Sequence, residues 1–166
     1  IEEYTGDVPD MILLTGDSAG GNLAAAVTMK AICEGIRIPD GLLLSYPAII
    51  LDKYTLMPSR FLTFFDPVVP FAFLQLCVDQ YIPDENTQNA LSHTDPFVNP
   101  FIIPNHIIAQ YPPTILCCGD HDPLYDDTIS FGRRLWEAGR KVHITLYREL
   151  PHGYLSFRKL MGRVIC

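Results

Sequence analysis

Short apolar runs alternate with a helical pattern over the first third of the chain. Residues 11–14 form an apolar run that stops at a Thr-Gly pair, which is typical of a strand buried on both faces. Residues 20–35 are rich in alanine and predict a helix that ends at Gly35. The apolar positions at helical spacing in this stretch are Leu23, Val27 and Ala31. Residues 42–44 predict a second buried strand, and the order strand, helix, strand predicts a parallel βαβ unit.

The middle of the chain, residues 48–112, departs from this pattern because it is rich in proline and aromatic residues. One helix is predicted here, capped by Asp66 and with Pro67 in its first turn. The apolar side of this helix consists of Phe71, Leu74, Val78 and Tyr81. The remainder is typical of long loops and short helices, which commonly border a substrate pocket. We therefore expect an irregular, cap-like insertion that lines a pocket.

Regular patterns return in the last third of the chain. Residues 114–118 predict another buried strand, and a helix ending at Gly139 follows it. The predicted apolar positions of that helix are Tyr125, Ile129, Gly132 and Trp136. Residues 142–147 alternate between apolar and polar, which predicts a half-buried strand near a sheet edge, and a final helix is predicted after Gly153. The sequence thus predicts an α/β fold with a mostly parallel sheet flanked by helices.

Composition narrows the class of protein. The 166 residues make one domain's worth of chain, and 48% hydrophobic against 19% charged residues excludes a disordered chain. A formal charge of −7 argues against a nucleic-acid partner, because phosphate backbones are bound by clustered Lys and Arg. No apolar run approaches the roughly 18–20 residues of a membrane span. Five cysteines with no Cys-x-x-Cys pair predict buried, reduced thiols in a cytoplasmic protein.

A nucleophile elbow is predicted between the first strand and the first helix. Gly16, Asp17, Ser18, Ala19 and Gly20 match the pattern Gly-x-Ser-x-Gly, which needs a strand before it and a helix after it. The serine lies on a sharp, strained turn, so we expect side chains at the two glycine positions to collide. The helix N-terminus and the Ala19 N–H are placed to stabilise an oxyanion.

The base that activates such a serine is expected in a loop after a later strand. His152 follows the strand predicted over 142–147 and lies in a Leu-Pro-His-Gly turn. His143 falls on the polar face of that strand, whereas His93 and His106 fall in the irregular middle region, where surface positions are the default. No two histidines are spaced i, i+4, so no zinc site is predicted.

The acid is expected directly after the strand at 114–118, where four aspartates follow. Asp126 and Asp127 fall in the first turn of the next helix, where a carboxylate is stabilised by the helix dipole. Asp120 and Asp122 fall in the loop itself, and position alone does not choose between them. His121, between two carboxylates, is interpreted as a polar loop residue.

The order serine, aspartate, histidine along the chain is that of α/β-hydrolases. In chymotrypsin-like proteases, which also have Gly-Asp-Ser at the nucleophile, the serine comes last and the fold is all-β, so that alternative fails. The order predicts acyl transfer to Ser18 followed by hydrolysis of the acyl-enzyme, with His152 relaying the proton.

These motifs together resemble the hormone-sensitive lipase family of α/β-hydrolases. The segments that carry the resemblance are GDSAGGNL at 16–23, DPLYDD at 122–127 and LPHGY at 150–154, with further similarity at 58–67 and 131–135. The family places its catalytic aspartate at the start of the Asp-Pro-Leu motif, which implies Asp122, and a structural acid at Asp126. The resemblance implies carboxylic-ester substrates such as acylglycerols and cholesteryl esters, no cofactor, and contact with a lipid-droplet or membrane surface.

Two family features are not found in this sequence. The His-Gly-Gly-Gly motif, which supplies the other oxyanion donors upstream of the serine, is absent, and the long phosphorylated insertion of the animal enzymes is missing or much reduced. We therefore expect residues 1–166 to be the C-terminal portion of one catalytic domain whose early strands precede this chain. Two alternatives to a lipase stay open: a short-chain carboxylesterase of the same family, and a non-catalytic ligand-binding member.

Overall fold

The computed structural model describes residues 8–52, 55, 57–64, 66, 68–81 and 93–157. Its centre is a four-stranded sheet in which strand order follows chain order and every neighbouring pair is parallel. The strands are β1 (Leu13–Asp17), β2 (Gly41–Ser45), β3 (Thr114–His121) and β4 (Val142–Pro151). The predicted α/β fold and the parallel βαβ unit are confirmed. Because all four strands are parallel, their carboxyl ends lie along one edge of the sheet.

Two helices pack on the sheet, and both cover the same face. These are α1 (Ala19–Glu34) and α5 (Tyr125–Glu137), whose buried residues share one apolar cluster with Leu42, Leu44 and Leu116 of the strands. On the opposite face Leu43 is 43% exposed and Ile115 is 47% exposed. The prediction of strands buried on both faces is therefore wrong for the described part of the chain, because α1 and α5 leave that second face uncovered.

The helix α1 is confirmed with its end at Gly35, which adopts the left-handed conformation. Its buried face includes one of the three predicted positions, Ala31, whereas Leu23 and Val27 are more than half exposed. The rest of the buried face is made mostly of small residues, among them Ala24, Ala25 and Thr28, together with Met29. Alanines allow the helix axis to approach the sheet closely, so a row of small side chains marks the packed face here.

The helix α5 is also confirmed, again with a rotated face. Trp136 is 70% exposed, whereas Phe131 and Leu135 are fully buried. Gly132 explains the close packing, since a Cβ at this position would lie 2.6 Å from Ile144 Cδ1 and 2.9 Å from Leu116 Cδ1. The helix therefore rests directly on the side chains of β3 and β4.

The middle region contains short helices: α2 (Pro58–Leu62), α3 (Phe71–Tyr81), a 3-10 turn (Pro100–Ile102) and α4 (Asn105–Ile108). The helix predicted from Asp66 begins only at Phe71, and Pro67 lies outside the described residues. Asp66 accepts hydrogen bonds from the N–H groups of Val68 and Val69, so its carboxylate closes a separate turn before the helix. The predicted cap is therefore wrong, although a helix that contains Phe71, Leu74, Val78 and Tyr81 is confirmed.

Strands β3 and β4 extend beyond their predicted ends and carry their last residues to the site. Gly119, Asp120 and His121 belong to β3 rather than to the loop that follows it. Among the described residues, strand β4 pairs only with β3, and it is the half-buried edge strand that the alternation predicted. A 3-10 turn (Tyr154–Ser156) stands where the final helix was predicted to begin.

Candidate active site

Ser18 lies between the last residue of β1 and the first residue of α1, in a strained backbone conformation. Its φ of 53° and ψ of −119° fall where non-glycine residues are uncommon. Backbone hydrogen bonds hold it there: Ser18 N–H donates to Ser45 O at 2.9 Å, and Ala48 N–H donates to Ser18 O at 3.0 Å. The elbow is therefore fixed by the end of β2 and by the loop that follows β2.

The glycines around Ser18 differ in how much space a side chain would have at each position. A Cβ at Gly16 would lie 2.1 Å from Gly20 O, so no side chain fits. At Gly20 the nearest atom would be Asp17 Oδ1 at 3.8 Å, an ordinary contact, so the predicted collision there is wrong. Gly21 is the second crowded position, since its Cβ would meet Pro47 Cβ at 2.6 Å. The turn packs against the loop after β2 through Gly21 rather than Gly20.

His152 and Asp122 lie beside Ser18 at the carboxyl edge of the sheet. Asp122 follows β3 directly and is fully buried, and His152 follows β4 and is 5% exposed. The Nδ1 atom of His152 lies 2.9 Å from Asp122 Oδ2, and its Nε2 atom lies 2.9 Å from Ser18 Oγ. A carboxylate only accepts hydrogen bonds, so Nδ1 donates to it and the neutral Nε2 is left to accept from the serine hydroxyl.

The remaining candidates from the sequence lie elsewhere. Asp120 is in β3, and its Oδ1 accepts the Glu149 N–H at 2.7 Å. His121 is exposed, 3.8 Å from Asp120, and the three other histidines are exposed as well, at positions 93, 106 and 143. Of the two aspartates that position alone left open, only Asp122 is bonded to His152.

Tyr46 supports the histidine and was not singled out from the sequence. Its ring meets the imidazole of His152 edge to face at a centroid distance of 4.8 Å, and Tyr154 packs on its other side at 5.2 Å. Burial, followed by the nearby Asp17 carboxylate, raises the pKa of Tyr46 to about 12, so the phenol is neutral at physiological pH. A positive φ of 37° directly after β2 turns this ring toward the site.

A buried charge network lies behind the site and was also missed. Asp127 is fully buried, and its carboxylate accepts the N–H groups of Ile49 and Ile50 at 3.0 and 2.7 Å. Arg60 donates to the same carboxylate at 3.2 Å and to Ile50 O at 2.6 Å. Burial raises the pKa of Asp127 to about 6, against the opposing effect of the Arg60 guanidinium. This network fixes the loop after β2, in which the Ala48 N–H donates to Ser18 O.

Two further polar side chains secure the same region. Asn22, one turn after Ser18 in α1, donates from Nδ2 to Ala48 O at 2.8 Å and to Val98 O at 3.2 Å. Asp126 accepts the Ser59 N–H at 2.7 Å and so ties α2 to the first turn of α5. The position of Asp126 and Asp127 in the first turn of α5 predicted only an interaction with the helix dipole. Both carboxylates also accept hydrogen bonds from backbone N–H groups that are distant in sequence.

An apolar cavity of about 280 Å³ opens beside Ser18 and His152. Ala19, Asn22 and Leu23 of α1 form one wall, and α3 forms the opposite wall. Ala19 is the first residue of α1, so its N–H has no carbonyl within the helix to bond and remains available at the cavity. The arrangement combines a serine hydroxyl, a hydrogen-bonded base and a backbone donor next to space for an apolar group.

Neither a metal centre nor a membrane span emerges from the part of the chain that the structure describes. Within those residues, no group of three or more His, Cys, Asp or Glu side chains is placed to hold a metal ion. The helices in the same residues are all too short or too polar to cross a membrane.

Comparison with known proteins identifies the family. The family described as the alpha/beta hydrolase fold matches residues 2–156, and the chain belongs to it. Among solved structures, carboxyl esterase 2 of Tuber melanosporum superimposes with a TM-score of 0.79 at 24% identity, over 87% of this chain and 45% of that one. One of two esterases of Rhizomucor miehei gives a TM-score of 0.73 at 27% identity, over 84% of this chain and 41% of that one.

Two kinds of curated relative are similar in sequence. Human hormone-sensitive lipase is 43% identical over 76 residues, which is 46% of this chain and 7% of the relative. An esterase of Acinetobacter venetianus is 29% identical over 149 residues, which is 90% of this chain and 46% of the relative. The chain therefore spans about half the length of the esterase and a much smaller share of the lipase.

Proposed function

We propose that the protein is a serine-dependent carboxylic ester hydrolase in which Ser18, His152 and Asp122 form the catalytic triad. The observation that carries this proposal is the continuous chain of hydrogen bonds, with Ser18 Oγ 2.9 Å from His152 Nε2 and His152 Nδ1 2.9 Å from Asp122 Oδ2. Membership of the α/β-hydrolase family and the esterase neighbours support it.

The proposed reaction proceeds in two steps. Ser18 Oγ attacks the ester carbonyl carbon while its proton moves to His152 Nε2, and the Ala19 N–H donates to the oxyanion that forms. The tetrahedral intermediate then breaks its bond to the alcohol oxygen, which leaves with the proton from His152. Water attacks the acyl-Ser18 intermediate in the same manner and releases the carboxylic acid. Asp122 holds the imidazole orientation and stabilises its protonated form throughout.

For the substrate we propose lipid esters such as acylglycerols and cholesteryl esters. The apolar cavity next to Ser18 and the 43% identity to human hormone-sensitive lipase support this class. We also propose a cytoplasmic protein that works at a lipid-droplet or membrane surface; the four free cysteines among the described residues are compatible with a reducing compartment. However, Cys33 and Cys77 are exposed, so the prediction that all the thiols are buried is wrong.

A short-chain carboxylesterase is the second candidate. The observation in its favour is coverage, because the relatives named esterase align over 86–90% of this chain, whereas human hormone-sensitive lipase aligns over 46%. Both candidates use the same proposed triad and differ only in the acyl group.

Hydrolysis of emulsified trioleoylglycerol and of soluble butyrate esters by the full-length protein separates the two candidates. We expect turnover of both, and loss of both in the Ser18→Ala variant. Activity on butyrate alone would reject the lipase and favour the carboxylesterase. Activity on either substrate that survives in the Ser18→Ala variant would reject the proposed nucleophile.

A further inference from the structure

Two neighbouring cavities share part of their lining, and the first of them adjoins Ser18. The first is the 280 Å³ cavity that contains Ser18 and His152 in its lining. The second has a volume of only about 20 Å³, and its lining includes neither Ser18 nor His152. Leu51, Leu74 and Val78 line both cavities, so these three side chains form a partition between them.

Two of the three residues of the partition lie on the helix α3. Leu74 and Val78 are four residues apart and therefore lie one above the other on the same face of the helix. None of the residues of α3 is fully buried, although the helix is mostly apolar. Its inner face thus meets the cavities rather than the packed core, while Leu76 on another face is 52% exposed.

The small cavity on the other side of the partition is lined mostly by apolar side chains, with two charged residues among them. Asp52 and Arg60 contribute to it, and the Nε atom of Arg60 is buried without a hydrogen-bond partner among the described residues. A volume of about 20 Å³ is room for one water molecule. A cavity of this size has no space for an alkyl chain unless the partition moves. The partition is therefore a steric boundary.

We propose that Leu74 and Val78, facing Leu51, set the longest acyl group that the enzyme accepts. This assignment rests on the proposed ester hydrolysis at Ser18. An acyl group bonded to Ser18 stays in place through both steps of the reaction, so it occupies the apolar cavity that adjoins the serine. The substrates are then esters of acyl groups that extend from Ser18 as far as the partition, and longer chains are disfavoured in proportion to the methylenes that do not fit.

A series of p-nitrophenyl esters tests the proposal on the full-length protein. The acyl group runs from acetate through butyrate and octanoate to dodecanoate, and kcat/KM is measured for each ester. The variants Val78→Phe and Val78→Ala change the partition in opposite directions. The matched controls, Leu76→Phe and Leu76→Ala, make the same kind of change two residues away on the exposed face of α3. Thermal unfolding of each variant shows whether it is folded.

We expect Val78→Phe to lower kcat/KM for the long esters relative to acetate by roughly 10–200-fold per excluded methylene. Val78→Ala should raise the same ratio, and it keeps the proposal testable should the larger side chain prevent folding. Both Leu76 variants should leave the ratio unchanged. Equal ratios in Val78→Ala and the parent, or an equal shift in the Leu76 variants, would overturn the assignment.

A second series separates the acyl side from the alcohol side. It keeps an acetyl group and lengthens the alcohol, and we expect the Val78 variants to match the parent protein along this series. A chain-length shift in this series instead would place the alcohol in the cavity and reject the acyl assignment. Absence of any hydrolysis by the parent would reject the proposed function itself, which is a different outcome from an unchanged ratio.

Discussion

The buried ion pair between Arg60 and Asp127 leads to a prediction whose size depends on pH. The Arg60 side chain is 7% exposed and that of Asp127 is fully buried, so removing the cation leaves a buried carboxylate without its charged partner. Breaking a buried pair in this way costs about 3–5 kcal/mol. The two backbone N–H groups of Ile49 and Ile50 still donate to Asp127, so we expect a loss near the lower limit for Arg60→Met at pH 8.

The sign of the pH dependence follows from the raised pKa of Asp127. Its value of about 6 lies above the ordinary 3.8 because of burial, so the folded state holds this proton more tightly than the unfolded state. The stability linked to such a group is present at low pH and is lost as the pH rises through the folded pKa. Without the Arg60 guanidinium that pKa rises further, so the stability lost in Arg60→Met should be smaller at pH 5 than at pH 8.

Denaturant unfolding of the full-length protein and of Arg60→Met at the two pH values measures this effect. The control is Arg133→Met, which breaks the exposed pair of Arg133 and Glu137 and should change little at either pH. An Arg60→Met variant as stable as the control at pH 8 would refute the reasoning. So would a loss of stability that is the same at pH 5 and pH 8.

The remaining predictions concern the acid and the elbow. Asp122→Asn should lower kcat by about 10⁴ without unfolding the protein, because the amide no longer holds the imidazole tautomer. Asp120→Asn, measured beside it on a butyrate ester, should retain most activity, and a reversal of the two results would contradict the assignment. Gly16→Ala should abolish soluble expression or lower Tm sharply, since its Cβ would lie 2.1 Å from a carbonyl oxygen. Gly35→Ala, whose Cβ meets nothing within 4 Å, should cost only about 1–2 kcal/mol for its left-handed backbone, and equal damage from both substitutions would count against the steric argument.

Local patterns were sufficient to predict the elements that bring the proposed triad together. The helix end at Gly35 and the strand-to-helix turn at Ser18 depend on residues next to them in sequence, so their patterns are complete there. The position of His152 after an alternating strand is equally local. The acid required the family resemblance, because two aspartates lie near the end of the same strand, and only the packing of Asp122 against His152 distinguishes them.

Features that depend on distant contacts were not predictable from these patterns. Asp127 holds backbone 77 and 78 positions away, and nothing near it in sequence signals that partner. The apolar positions predicted for α1 were Leu23, Val27 and Ala31, but only Ala31 is buried, because the sheet selects the smaller alanines, which let the helix approach closely. Asp66 is a residue type typical of a helix N-cap, yet its carboxylate accepts hydrogen bonds from backbone N–H groups in a turn that precedes the helix.

Covalent labelling tests the central claim most directly. A fluorophosphonate reacts with a serine that is activated by a neighbouring base, so it requires the arrangement of Ser18 Oγ and His152 Nε2 at 2.9 Å to be functional. The full-length protein is labelled, digested and examined by mass spectrometry, beside its Ser18→Ala variant. We predict a single adduct on the peptide that contains Ser18 and none in the variant. Labelling that persists unchanged in Ser18→Ala, or an adduct on another residue, would contradict the account.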